Sequence, residues 1–331
     1  MSLQRPLAFG LTPMETRHDV VLHVTVRAEE LGYSVIYVGE GWGHDVSVLL
    51  AEIAMHTSRI RIATGILNVW GRSAASIAML ATSLANLSGG RFVLGLGAGS
   101  PQLAEGLHGV PFRSPIHRLD VVTRDVRALM RGERPVSSPP GEHTPMRLAV
   151  NPQFDVPVHL AALGAKAVRL CGELARWVVS VSAAGFGARP PHPTVTVGTA
   201  VLESGRPLPL VCPGVPAAIA SDPATARRLS AWWITFYLTK MGPLYSKLLC
   251  DLGHTAAVAA VHAATLSNDT EDLPSRARGL IEELTLCGSA ESARADLDRW
   301  YNAGADMPVV MLLPKRDVEE LDYALDAMRP Q

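Results

Sequence analysis

The chain has 331 residues, 48% of them hydrophobic and 18% charged, with a formal net charge of −1. This length suits two domains or one (β/α)8 barrel, which takes roughly 250 residues, and the composition can bury a large core. The near-neutral balance gives no electrostatic drive towards nucleic acid or an anionic membrane, and no run of about 18 apolar residues suggests a membrane span. Cys171, Cys212, Cys250 and Cys287 are widely spaced with no Cys-x-x-Cys pair, so they read as a reduced, cytosolic set and not as a disulfide frame or a metal site. Met1 to Pro6 lacks an apolar leader, and the expected location is the cytoplasm.

Leu7 to Leu11 is a short apolar strand ending at Thr12-Pro13. His18 to Leu31 has apolar residues at helical spacing and Gly32 as its stop. Val35 to Val38 is the second strand, which delivers Gly39-Glu40-Gly41-Trp42-Gly43-His44-Asp45 onto a loop before a helix from Val46 to His56. Arg59 to Ala63 starts a third strand leading into Thr64 to Ser73, where Ser73 is a fitting N-cap for the Ala-rich helix Ala74 to Asn86. Ser88-Gly89-Gly90 ends that helix, and Arg91 to Leu96 is an apolar run that opens into Gly97-Ala98-Gly99-Ser100. Missing side chains there serve either a turn or the close approach of something planar or phosphorylated.

Regular strand–helix alternation argues for a parallel sheet covered by helices, as a doubly wound sheet or a closed barrel. The barrel is favoured because Glu40 and Trp42, Gly65 to Arg72, and Gly97 to Pro101 all lie just past strand C-termini, where barrel enzymes assemble their sites. No Gly-x-Gly-x-x-Gly follows the first strand, which counts against a dinucleotide-binding fold.

Residues 102–155 read as an insertion after strand 4. It contains a helix from Pro115 to Met130 and a Pro-rich stretch, 134–151, expected over the barrel mouth. Val156 to Ala161 is the next strand, running through Leu163-Gly164-Ala165-Lys166 into a helix from Ala167 to Ala175. A Gly feeding a helix N-terminus with Lys in its first turn suits a phosphate, though an ordinary turn has the same look. Asp222 caps a long helical region to Met241 that is rich in aromatics, which pack a core or line an apolar pocket. Helices follow at Leu280 to Leu286 and Ser289 to Asn302. A last strand spans Met307 to Leu313, and a closing helix runs from Asp317 to Met328.

Several blocks resemble one family: Ala28 to Tyr33, Tyr37 to Glu40, Arg61 to Ile66, Leu160 to Lys166, Asp306 to Val309, and above all Leu-Ser-Gly-Gly-Arg-Phe-Val-Leu-Gly-Leu-Gly-Ala-Gly-Ser from Leu87 to Ser100. The chain resembles the luciferase-like monooxygenase superfamily, especially its coenzyme F420 branch of methylenetetrahydromethanopterin reductase type. The resemblance implies a single domain over 1–331, a (β/α)8 TIM barrel binding F420 or FMN at its C-terminal mouth, and a homodimer. It implies a non-proline cis peptide at Gly65-Ile66 under the ring. Gly97, Ala98 and Gly99 would pass beside the cofactor tail, and Leu163, Gly164, Ala165 and Lys166 would hold its phosphate. Glu40 falls where F420-using relatives place an Asp near the reacting ring, and His44 is the next candidate acid or base. A neighbouring His is common at that point, and this chain has Gly41 instead. Trp42, Asn68, Trp70 and Arg72 are candidates for the substrate side.

The implied activity is hydride transfer between reduced F420 and a small or medium apolar substrate. The alternative is a two-component FMN monooxygenase supplied by a separate reductase, and a reading of another class is a non-catalytic flavin-binding relative. One segment, 176–204, departs from the family: an Ala-Asp-Gly motif is expected, and Ala175-Arg176-Trp177-Val178-Val179 stands there, followed by Pro- and Gly-rich sequence. One reading is a native loop. Another is local out-of-frame translation: Arg176 to Ser182 can be encoded by CGA-TGG-GTG-GTC-TCC-GTT-TCG, which shifted by one base reads Asp-Gly-Trp-Ser-Pro-Phe. Resequencing the gene separates the two. The run Trp177 to Val181 can form a strand in either case.

Overall fold

The computed structural model describes residues 5–137, 144–175, 177–179, 208–267 and 272–331. Most of the atypical segment 176–204 therefore lies outside the described residues.

Strands β1 (Ala8–Leu11), β2 (Val35–Val38), β3 (Arg61–Thr64), β5 (Phe92–Gly97), β6 (Val158–Ala161) and β7 (Trp177–Val179) follow one another in parallel, with the two-residue β4 (Leu67–Asn68) paired to the end of β5. The stretch after the atypical segment is split into β8 (Leu210–Val211) and β9 (Gly214–Ile219). Pro213, which has no N–H to give a ladder, sits between them. β8 pairs with β7, while β9 pairs with β11 (Val309–Leu312), and β11 pairs with β1. The sheet thus closes on itself as a barrel whose staves are β1, β2, β3, β5, β6, β7, the β8–β9 stretch and β11. Asp306 fastens the seam, its carboxylate accepting from Val211 N–H at 2.7 Å while its own N–H donates to the Val211 carbonyl. A short strand, β10 (Leu286–Gly288), extends β9 outside the barrel.

Period-two alternation sorts the strand residues. Ala8, Val35, Tyr37, Ala63, Val93 and Val309 pack together inside the barrel. Phe9, Ile36, Ile62, Phe92, Leu94 and Leu96 face the surrounding helices. Both faces are buried, which is why these strands read as unbroken apolar runs.

The helices begin and end where their cap residues dictate. α1 (His18–Leu31) stops at Gly32, whose φ of 90° only glycine adopts freely, with the Tyr33 N–H reaching back to the Ala28 carbonyl. α2 (Val46–His56) is capped by Asp45, and α3 (Ala74–Leu87) by Ser73. Arg91 explains part of the Leu87–Pro101 block. Its guanidinium donates to the carbonyls of Ala54, Thr57, Ile60 and Ser88 and to the Thr57 hydroxyl, so one cation holds the C-terminal ends of α2 and α3 against the start of β5.

α4 (Pro115–Met130) runs back along the barrel, so the chain after it emerges at the end where the strands begin. Gln153 N–H donates to Asn86 near the end of α3, and the Phe154 ring covers Gly90. Residues 151–155 pack at the foot, against the ends of α3 and α4, and 138–143 of the stretch expected over the mouth lie outside the described residues. Of the insertion, the π-helix Gln102–Leu107 stands at the mouth, directly after the Gly-rich end of β5.

Between β9 and β10 lies a helical lobe with its own core, which includes Ile234, Leu238, Leu249, Val258 and Leu280. It comprises α6 (Pro223–Thr239), α7 (Pro243–Asp251), α8 (Thr255–Leu266) and α9 (Gly279–Leu284). The helix expected through Leu286 stops at Leu284, because Leu286 to Gly288 pair with β9. α10 (Ala290–Asn302) and α11 (Val318–Ala327) complete the outer ring, together with α5 (Ala165–Leu174), which starts two residues earlier than expected.

Candidate active site

The parallel register brings the C-terminal ends of β2, β3, β5 and β6 to one end of the barrel. Glu40, Gly65–Ile66, Gly97–Gly99 and Leu163–Lys166 all lie there, on neighbouring strand ends.

The centre of this region is built by an interruption of β3. Its ladder with β5 runs through Ile62 and Ala63, and then the Thr64 hydroxyl takes over, accepting from Gly95 N–H and donating to the Gly95 carbonyl, both at 2.8 Å. The backbone is thereby released from the ladder at Gly65, and the Gly65–Ile66 peptide is cis. The Ile66 side chain lies across β5. A β-carbon on Gly97 would sit 2.7 Å from Ile66 Cδ1, and one on Gly95 would sit 2.0 Å from the Thr64 carbonyl oxygen. The chain then rejoins β5 as β4, with Leu67 opposite Leu96 and Asn68 opposite Gly97. The space that the missing side chain of Gly97 leaves is filled by Ile66 and bounded by Ala161. Gly99, at φ 61°, turns the chain towards the π-helix, while Ala98 accepts a hydrogen bond from the Trp70 indole at 2.7 Å.

Glu40 donates its backbone N–H to the Ile66 carbonyl, so the β2 loop is fastened to the cis unit. Its carboxylate is ion-paired to Arg72, which also reaches Asp45 at 3.0 Å. Burial pushes the Asp45 carboxyl up, but the Ser47 donors and the Arg72 guanidinium outweigh it and hold the group below the usual carboxylate range. Trp42 is exposed on the same loop. His44 stands on this loop too, its Nε2 2.9 Å from the Thr16 carbonyl. Asn68 is fully buried: its amide oxygen accepts from the N–H groups of Trp70 and Gly71, and its nitrogen faces His108 Nε2. Trp70 is also buried, against Phe112. Asn68 and Trp70 thus brace the wall of the mouth, while Trp42 and Arg72 stand on its loops.

At the end of β6 the helix α5 opens without a side-chain cap. Gly164, Ala165 and Lys166 are exposed, the space where a Gly164 β-carbon would point is open, and Lys166 has no ion-pair partner among the described residues. Free N–H groups, the positive end of a helix dipole and an unneutralised ammonium form a fitting receptor for a phosphate. These features fit a phosphate-bearing flavin or deazaflavin whose tail lies at α5. No group of three or more metal-ligating side chains occurs among the described residues.

Two features escaped the sequence reading. Inside the barrel the Tyr37 hydroxyl lies 3.0 Å from His159 Nδ1, and a β-carbon on Gly65 would strike the base of the Tyr37 side chain. Burial raises the phenol and depresses the imidazole, so both stay neutral. The only sequence signal was a His within an apolar strand. The second feature is an open cleft of about 240 Å3 formed by the π-helix, Trp42 and the end of α6, including Lys240 and Met241.

A parallel barrel with its unusual backbone and charged groups gathered at the strand C-termini defines a barrel enzyme of cofactor-binding type. The chain matches the luciferase-like monooxygenase family over residues 8–307 and belongs to it. It is similar to a Mycobacterium tuberculosis protein named for coenzyme F420-dependent oxidoreduction, at 26% identity over 95% of each chain. It is also similar to the 5,10-methylenetetrahydromethanopterin reductase of Methanolobus tindarius, at 28% identity over 48% of this chain and 49% of the reductase. Among solved structures, the F420-dependent tetrahydromethanopterin reductase of Methanopyrus kandleri shares the fold, with a TM-score of 0.77 at 18% identity, covering 99% of this chain and 98% of the other.

Proposed function

We propose that this chain is an oxidoreductase that transfers a hydride between reduced coenzyme F420 and a small or medium apolar organic substrate. The observation that carries the reading is the convergence of Glu40, Gly65–Ile66, Ala98–Gly99 and Gly164–Lys166 on neighbouring strand ends. Similarity across nearly the full length to a relative named for F420 supports this cofactor.

When bound, the cofactor supplies the hydride, and the protein supplies placement and a dry, polarised pocket. The α5 N-terminus and Lys166 hold the phosphate. Ile66, seated on β5, supports the ring. Arg72 fixes the orientation of Glu40, which accepts a hydrogen bond from the ring or the substrate, with His44 the second candidate for proton transfer. Trp42 and the π-helix exclude water from the substrate side. A second reading, a two-component FMN monooxygenase fed by a separate reductase, is kept because the chain belongs to the luciferase-like monooxygenase family.

The proposal extends to a cytoplasmic homodimer, for which the outer face of α2 and α3 is suited. α3 carries no charged residue, and Val48, Met55, Met79 and Leu87 are exposed along the two helices.

Separate fluorescence titrations with F420 and FMN test the function. Tight F420 and weak FMN binding supports hydride transfer, the reverse selects the monooxygenase reading, and binding of neither overturns both.

A further inference from the structure

The cleft beside the π-helix is walled on its apolar sides by Trp42, Leu103, Leu107 and Met241. It is assembled from three separate elements: the β2 loop, the π-helix that follows the Gly-rich end of β5, and the two residues that follow α6. The Gln102 side chain is packed over Gly242, where a β-carbon would lie 2.6 Å from its amide oxygen, so the π-helix and the helical lobe are locked together across the mouth. Among the lining residues Lys240 is the one charged group, and it has no ion-pair partner among the described residues.

Two carboxylates on the elements that wall the cleft have partners of their own. Glu40 is paired with Arg72, and Glu105, on the π-helix itself, accepts from the Phe112 N–H at 2.9 Å. An apolar wall of this kind takes an aliphatic or aromatic body. An ammonium at its rim that is ion-paired to no described carboxylate favours negative charge over positive charge.

We propose that this cleft is the substrate subsite and that its occupant is an organic anion: an apolar body ending in a carboxylate or a similar group, with the anionic end at Lys240 and the body along Trp42, Leu103, Leu107 and Met241. The proposal rests on the oxidoreductase reading for what is done to the bound molecule, but not for the binding itself. Lys240 is a specificity residue here. It lies at the rim, and its removal changes which head group is accepted without altering the cofactor-binding strand ends.

The test uses the full-length protein and three probes with the same chain, octanoate, 1-octanol and octylammonium, titrated separately while tryptophan fluorescence is followed. Octanoate is expected to bind at least fivefold more tightly than octylammonium, a difference of about 1 kcal/mol, with octanol between them. Lys240→Glu is expected to reverse the order, and Trp42→Phe to remove most of the fluorescence change. Equal binding of the three probes, binding of none, or an order unchanged in Lys240→Glu overturns the proposal. A parallel F420 titration keeps the two readings apart: selective octanoate binding without F420 or FMN binding leaves the subsite standing and removes the cofactor reading, and the converse result does the opposite.

Discussion

Gly97→Ala isolates the packing that seats Ile66. The added methyl would lie 2.7 Å from Ile66 Cδ1 and 2.8 Å from Cγ1, about 1 Å inside the favourable carbon–carbon distance of roughly 3.5–4.0 Å. Overpacking of this size costs about 1–3 kcal/mol. Ile66→Ala removes both clashing carbons and by itself costs about 2 kcal/mol. In the double variant the new methyl occupies the space that Ile66 has left, so the two losses do not add, and the total falls short of their sum by at least about 1 kcal/mol. Urea unfolding of the wild type, both single variants and the double variant measures this coupling. F420 titration of the same four proteins should show binding weakened in Gly97→Ala and partly restored in the double variant. If the stability losses add within about 0.5 kcal/mol, or if Gly97→Ala impairs binding equally whether or not Ile66 is present, Gly97 borders the cofactor directly and the packing argument fails.

Lys166→Ala should weaken cofactor binding about tenfold, or 1.4 kcal/mol, with unchanged thermal stability, because the side chain is exposed and acts through charge at a helix N-terminus. Arg91→Met should cost about 3 kcal/mol in urea unfolding by leaving helix-end carbonyls without donors. Glu15 is buried and bonded to Arg17 and to the backbone N–H groups of Arg17 and Lys315. Burial pushes its carboxyl up, yet these donors prevail and hold it below the usual value. Its contribution is therefore complete above about pH 4.5 and lost as the pH falls through the lower, folded-state pKa. Glu15→Gln should cost about 2 kcal/mol at pH 7, and denaturant curves should show that gap from the wild type closing towards pH 3. Met79→Glu should turn a dimer into a monomer in analytical ultracentrifugation while leaving the circular dichroism unchanged.

The parts legible in the sequence are those governed by local chemistry. Ser73, Asp222 and Gly32 cap helices as their residue types require, and the buried strands read as apolar runs because both their faces are covered. The cis Gly65–Ile66 unit was named from the family resemblance, since no local pattern in Thr-Gly-Ile-Leu announces it. The parts that were not legible depend on distant partners. Nothing near Glu40 indicates that Arg72 will hold it, and nothing near Gly97 indicates that Ile66 will fill its space. α8, Thr-Ala-Ala-Val-Ala-Ala-Val, is apolar on too many sides to show a helical face. The π-helix is only six residues long. The Pro-rich segment was expected at the mouth because loops there carry function, and nothing local shows that the chain after α4 comes to the foot, where Gln153 and Phe154 pack.

The most direct test of the site is amide hydrogen exchange of the full chain with and without F420. Protection is expected together at 39–45, 64–72, 97–107 and 163–168, the strand ends and loops that the barrel brings to one mouth. Protection confined to the foot of the barrel, around Arg127 and Phe154, would contradict the account.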